Sequence, residues 1–241
     1  MLKNLFNNKV DLYELISNDN ITGIYSYLRK GGNPDLLDEY GQTPLFRVVY
    51  NESPNQIQML KALLEYKANP NHKHPEDEST PLYHSKSRKV AELLVDYGAD
   101  LNQINKLGHN HLHNCYSIEM IEFYLEKGLD INEKNNLGST PIFNAVHFGY
   151  DLVKFLIENR AKVELKNNNG WTPLISLART QYATQEDNIE IKKVCDLLIN
   201  NGAKINTKDI LNKDSIDHAK EMENIEFAEY LSKIKRKHNT V

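Results

Sequence analysis

Apolar positions in this chain fall into short helical blocks that recur. In Val90-Ala-Glu-Leu-Leu-Val-Asp-Tyr-Gly-Ala-Asp-Leu-Asn102 the apolar side chains return at helical spacing, and a Gly-x-x-x-Asn turn follows. Met120-Ile-Glu-Phe-Tyr-Leu-Glu-Lys-Gly-Leu-Asp-Ile-Asn132 repeats the block, and further copies end at Asn71, Glu164 and Asn206. Such spacing gathers the apolar residues on one face of a helix. Glycine after the helix supplies a left-handed cap at little steric cost.

A second phrase interleaves with the first. It reads Gly41-Gln-Thr-Pro-Leu45, Glu78-Ser-Thr-Pro-Leu82, Gly108-His-Asn-His-Leu112, Gly138-Ser-Thr-Pro-Ile142, Gly170-Trp-Thr-Pro-Leu174 and, worn, Asn212-Lys-Asp-Ser-Ile216. Thr suits the position before a helix, where its hydroxyl can accept an orphan backbone N–H. Pro suits the first helical turn, where its missing N–H costs nothing and its φ is already helical. Leu or Ile then begins the buried face. The closing Asp and Asn residues of the first block suit the turn into the next loop.

The spacing separates a constant part from a variable one. From the Leu/Ile of each phrase to the first apolar residue of the next helical block, the separations are 14, 8, 8, 10, 20 and 11 residues. From that residue to the following Leu/Ile they are 23, 22, 22, 22 and 22. A second helix packed on both neighbours has its register fixed, whereas a rim turn tolerates insertion. The units starting at Leu82 and Leu112 are therefore expected to carry first helices of one to two turns. Thr180 to Asn188, rich in Gln, Thr, Glu and Asp, is an insert. It reads as a surface loop, or as a loop that reaches over a partner.

The two interleaved phrases resemble the ankyrin repeat over about residues 11 to 234. The resemblance implies an all-α fold, a solenoid of stacked helix–turn–helix units with projecting β-hairpin loops, in one domain over 1–241. Residues 11–37 are an N-terminal capping helix pair, with Leu12, Leu15, Ile16, Ile21, Ile24, Tyr25 and Leu28 apolar. Five internal repeats occupy 38–72, 75–104, 105–134, 135–166 and 167–208, followed by a C-terminal cap at 209–234 and a tail at 235–241. Capping units cover the ends of the stack, so their motifs are worn and their outer faces charged.

In ankyrin proteins the hairpin tips and inner helices form the face that holds partners. Mapped residue by residue, the tip positions are Glu39, Tyr40, Gln42, Asp77, Lys106, Leu107, His109, Asn136, Leu137, Asn169 and Trp171. Inner-helix positions are Tyr50, His147, Phe148 and Arg179. Tyr40, Leu107, Leu137 and Trp171 would form an intermittent apolar line. Trp171, the single tryptophan, occupies a position the repeat does not need for packing, which points to partner contact; the alternative is packing against a neighbouring hairpin. The resemblance implies a protein-binding module rather than an enzyme. Its setting would be a bacterial regulatory or immunity protein that masks a cognate toxin or enzyme, or an effector delivered into a host cell. A structural, self-assembling repeat protein is the alternative.

Composition narrows the remaining classes. A net charge of −4 over 241 residues argues against a nucleic-acid binder. The basic run Lys233, Lys235, Arg236 and Lys237 reads as a solvated helix end, suited to the negative end of the helix dipole, with contact to nucleic acid or an anionic membrane as the alternative. Cys115 and Cys195 make no disulfide framework and read as core. No apolar run reaches signal-peptide or membrane-span length, so a monomer in the cytoplasm is expected, bacterial or that of a host. His109, His111 and His113, with Cys115, His72, His74 and His84, invite a metal reading. His113, however, stands at the ordinary His position of Thr-Pro-Leu-His, where the family's histidine hydrogen-bonds within the stack, so no metal and no cofactor are expected. No phosphate loop, Gly-x-Ser-x-Gly, Cys-x-x-Cys or His-Glu-x-x-His occurs, so no catalytic residue is assigned.

Overall fold

The structure, a computed structural model, describes residues 11–180 and 185–238. Among them every regular element is helical and no strand occurs. The expected hairpin loops are present as tight turns without a strand ladder. The chain divides into two compact units, 1–106 and 107–241.

The first unit holds α1 (Leu12–Ser17), α2 (Ile21–Arg29), α3 (Pro44–Tyr50), α4 (Gln56–Glu65), a 3₁₀ turn at Pro81–His84, and α5 (Arg88–Asp96). Asp11 caps α1 by accepting the Tyr13 amide, and Asn20 caps α2 by accepting that of Gly23. Two columns result. First helices pack on first helices (α1, α3, then the 3₁₀ turn), and second helices on second helices (α2, α4, α5). Leu12, Ile16, Leu45, Phe46 and Leu82 are buried in the first column, and Ile24, Met59, Leu63, Val90 and Leu94 in the second. Each side chain removed from water contributes about 1.5–3 kcal/mol, set against the conformational entropy lost on folding.

The second unit holds α6 (Ile118–Glu126), α7 (Ile142–Ala145), α8 (Tyr150–Glu158), α9 (Pro173–Ala178), α10 (Gln185–Asn200), α11 (Ser215–Glu221) and α12 (Ile225–His238). The columns are α7, α9, α11 and α8, α10, α12.

First-helix length follows the spacing only where the spacing is short: separations of 20 and 11 give the six residues of α9 and the seven of α11. A separation of 14 gives the seven residues of α3, and 10 gives the four of α7. Of the two units of 8, the Leu82 unit has one 3₁₀ turn, but the Leu112 unit has only turns at 111–114, so the helix of one to two turns expected there does not form. Of the insert, residues 181–184 lie outside the described residues, and 185–188 are not a surface loop but the start of the sixteen-residue α10.

Two details of the phrases need correction or extension. Of the threonines that precede proline, only Thr172 caps through its hydroxyl, to the Ile175 amide at 3.4 Å. Thr43 and Thr80 make no such bond, and in the Thr140 unit the N-cap is Pro141. What Thr43, Thr80 and Thr172 share is extended backbone, ψ 163 to 167°, the conformation that a following proline imposes. After the second helix, Gly98, Gly128 and Gly202 are left-handed as expected. Where the block has no glycine, Lys67 and Arg160 take that conformation, with φ of 68° and 70°.

Candidate interaction surface

Four of the tips are each built on one Asp or Asn. The Asp38 Oδ1 accepts the amides of Tyr40 and Gln42; Asn135 does the same for Leu137 and Ser139, Asn167 for Asn169 and Trp171, and Asp209 for Leu211 and Lys213. Three residues on, the chain takes positive φ, at Gly41, Gly138, Gly170 and Asn212. The 74–79 tip is one residue longer: the His74 amide reaches the Ser79 carbonyl, where Asn135 reaches Ser139. That residue accounts for the single spacing of 23 among four of 22. Glu78, with φ of 59°, holds the place glycine takes elsewhere.

The tips are tied to one another. In the second unit the Asn136 amide donates to the Leu107 carbonyl (3.1 Å), Asn168 to Leu137 (2.9 Å) and Ile210 to Asn169 (3.2 Å). In the first unit the Lys106 amide donates to the Asp77 carbonyl at 2.7 Å. Lysines add a second set of ties. Lys134 Nζ donates to the Lys166 carbonyl (3.0 Å), Lys166 Nζ to the Lys208 carbonyl (2.7 Å), and Lys208 Nζ reaches Asp214 and Asp217 (both 3.1 Å). The closing Asp and Asn residues form the local turn as expected, Asn69, Asp100 and Asp130 each accepting the amide two residues on, and the last asparagine also bridges repeats. Asn71 binds the Gly98 carbonyl and the Asp100 amide, and Asn132 the Arg160 carbonyl and the Lys162 amide. Loops so tied present their side chains with little ordering cost on binding.

On this frame the second unit carries an apolar row. Leu107, Leu137 and Leu211 occupy the same turn position and are 55, 60 and 66 % exposed; Asn169 fills the fourth place. Ile210, beside Leu211, is also exposed. The sequence reading omitted Ile210 and Leu211, although Asp209-x-x-Asn212 repeats the Asn135-x-x-Gly138 frame and could have located them. Phe148 is exposed and stacks on Tyr116, ring centroids 3.7 Å apart. Tyr116 lies in the unit whose first helix is absent, so no phrase marked it. His147 bonds Ser176 and Thr180, and His109 stacks on His113. His113 is buried, with Nε2 3.0 Å from the Ser139 carbonyl, so the repeat histidine holds the next tip. Burial pushes its pKa down to about 4 despite that carbonyl. Cys195 is buried and Cys115 half-buried, and burial raises both thiols, Cys115 to about 11. No group of His, Cys, Asp and Glu among the described residues is arranged to hold a metal ion.

In the first unit Glu39, Tyr40 and Lys106 are exposed, and Gln42 lies 3.3 Å from His74. Tyr50 packs on His84, with 5.0 Å between centroids; His84 bonds the Ser79 hydroxyl (2.6 Å), which donates to Asp77 (2.7 Å). Tyr50 and Asp77 thus belong to one connected group, with His72, His74 and His84 all against the ring of Phe46.

Trp171 and Arg179 stand apart from the apolar row, because the indole is turned into the C-terminal cap. Its Nε1 donates to Asp209 Oδ2 (3.3 Å), its ring meets that of His218 edge-on, and the Arg179 guanidinium lies 4.3 Å from the ring centroid. Arg179 Nη1 is 3.0 Å from His218 Nδ1. A guanidinium can only donate, so Nδ1 accepts and Nε2 carries the proton given to Asp209 Oδ2 at 2.9 Å. The Asp209 and His218 side chains are 0 and 2 % exposed. Burial works against the Asp209 charge, but the Lys213 and Leu211 amides and His218 together hold its carboxyl below the usual range. Trp171 therefore has the structural reason that the sequence reading found missing: it packs against the neighbouring tip.

A family model for ankyrin repeats, three copies long, matches residues 12–105 and again 109–209. The chain belongs to the ankyrin repeat family. An ankyrin repeat protein of Fowlpox virus (strain NVSL) is 33% identical over 104 residues, and one of Acanthamoeba polyphaga mimivirus 32% over 103; these stretches cover 42% and 40% of this chain and 17% of each relative. The chain thus matches about a sixth of the length of these relatives. The crystal structure of the ankyrin repeat domain of Bcl-3, a member of the IkappaB protein family, shares the fold at a TM-score of 0.68 and 20% identity, over 89% of this chain and 95% of that one. The ankyrin repeat domain, the class to which this chain's fold belongs, is a general protein–protein interaction module. No helix among the described residues is long and apolar enough to cross a membrane.

Proposed function

We propose that this ankyrin repeat protein binds a partner protein through its tips, with Leu107, Leu137 and Leu211 as the apolar anchors in the second unit. The observation that carries this reading is the exposure of three leucines at one equivalent turn position on a backbone tied tip to tip. Phe148 on Tyr116 extends the surface with two exposed aromatic rings, the side-chain class that carries much of the energy at protein interfaces. In the second unit His109, Asn136, His147 and Asn169 supply the polar contacts around these anchors, and in the first unit Glu39, Tyr40, Gln42, Tyr50, Asp77 and Lys106 form that unit's own contact surface. Trp171 and Arg179 are reassigned as supports of the last tip, acting on binding through Leu211. The viral source of both matched relatives supports a protein directed at host proteins over a bacterial immunity or regulatory role.

The test is capture by crosslinking from host and native lysates, with wild type beside the triple variant Leu107→Asp, Leu137→Asp, Leu211→Asp. These side chains are exposed, so the helical circular dichroism should stay unchanged. A protein captured by wild type and lost with the variant supports the reading. Equal capture by both overturns it.

A further inference from the structure

We propose that the outer face of the C-terminal cap, between α11 and α12, is a second docking site, whose occupant is an acidic peptide segment carrying an apolar anchor. An open groove of about 830 Å³ lies there. Its apolar part is Ile225, 58% exposed at the start of α12, and Ala228, buried beneath. Lys220, Lys233 and Arg236 line it, against one carboxylate, Glu229.

The origin of the groove is architectural. In the column of second helices α8 is covered by α10 and α10 by α12. No described element packs over the far side of α12. For a helix face that meets only water, scattered charge of both signs would serve solubility. The observed pattern differs in two respects. The charge is biased three to one toward cations in a chain whose net charge is −4. A large β-branched apolar side chain also stands exposed inside the cationic rim, where a solvated end would carry a polar residue.

Cations around an apolar patch complement carboxylates flanking an apolar side chain. Charge complementarity steers encounter and selects the partner, while the desolvated anchor supplies contact energy. A nucleic-acid backbone fits less well. It offers no side chain for Ile225, and Glu229 would stand among its phosphates. The site shares no residue with the tips, so it stands or falls independently of the tip-binding reading.

The experiment is fluorescence anisotropy with the full chain and three labelled probes. These are a glutamate-rich peptide with one central leucine, the same peptide with serine in place of leucine, and single-stranded DNA of equal charge. The leucine peptide is expected to bind, more weakly as salt rises. The serine peptide, and the double variant Lys233→Glu, Arg236→Glu with the leucine peptide, should each bind about tenfold more weakly. Ile225→Ser keeps every charge and should lose the preference for leucine over serine. Equal binding of the two peptides by wild type, binding undiminished in the double variant, or tighter binding of DNA would each overturn the proposal.

Discussion

Replacing Asp209 by asparagine should weaken the last repeat specifically, because it changes one side of a residue whose two oxygens do different work. Oδ1 holds the tip by accepting the Leu211 and Lys213 amides, a task that Asn135 and Asn167 perform with an amide oxygen elsewhere in the same unit. Asparagine therefore preserves the turn. Oδ2 accepts from His218 Nε2 at 2.9 Å and from Trp171 Nε1 at 3.3 Å. An amide nitrogen there would face two donors. Turning the amide over only moves the conflict to the two backbone amides. His218 cannot escape by shifting its proton to Nδ1, because Arg179 donates to that atom. Hydrogen bonds to a charged group contribute about 1.5–3 kcal/mol each, and the 3.3 Å bond belongs at the lower end. Allowing for relaxation of a partly exposed indole, the loss is about 3 kcal/mol, or about 6–12 °C in melting temperature for a unit of this size. Trp171 is the only tryptophan, so its fluorescence reports this site alone while far-UV circular dichroism reports all helices. Denaturant unfolding of Asp209→Asn should shift the fluorescence transition more than the dichroism transition, as expected where each repeat is coupled chiefly to its neighbours. Trp171→Phe removes one donor and should cost about 1 kcal/mol, with most of that cost absent in the Asp209→Asn background. A fluorescence midpoint in Asp209→Asn within about 0.5 kcal/mol of wild type would refute the buried-carboxylate account.

Three further outcomes follow from single positions. Arg160→Gly should stabilise the second unit by about 0.5–1 kcal/mol, since it relieves a left-handed φ of 70° and its carbonyl, which Asn132 binds, is retained; a loss of stability in urea unfolding would contradict this. Gly170→Ala should destabilise by about 2 kcal/mol or more, because φ is 74° and an added Cβ would sit 2.9 Å from the Ile210 amide nitrogen and 3.0 Å from Asp209 Cα; unchanged thermal unfolding would show that the next tip can move aside. His113 titrates at about 4 when folded against 6.5 for the free side chain, so the unfolded chain binds its proton first and the neutral ring's contribution, complete above pH 6.5, is lost as pH falls through 4. The interval corresponds to about 3 kcal/mol at most, so the penalty of His113→Gln at pH 7 should shrink by up to that amount at pH 4; a penalty independent of pH would refute the assignment.

What could be read in the sequence was whatever recurs. The spacing of 22 follows from tips and second helices that contact the next copy of themselves, so the same residue types return: Asx at the turn, a left-handed residue three positions on, Asn as a bridge. First-helix length was only partly legible: a separation of 8 left one 3₁₀ turn after Leu82 as expected but no helix after Leu112, where one to two turns were expected, and the separation of 20 lengthened α10 rather than α9. The errors fall where one residue answers to a neighbour that breaks the pattern. Trp171 looked idle because the repeat does not require it. Its partners, Asp209 and His218, lie in the worn final phrase, where no spacing rule marks a contact 38 residues away. The threonines misled in the opposite sense: a recurring Thr-Pro was read as a hydroxyl cap, whereas the recurrence reflects extended backbone before proline. The same distinction bears on function. A tip residue that recurs because the ladder needs it, such as Asn135, says nothing about a partner. Leucine at positions 107, 137 and 211 is not required by the ladder, which runs through backbone atoms and accepts asparagine at 169. Since the frame does not demand leucine there, and water disfavours it, these three positions are where binding should fail first when charge is introduced.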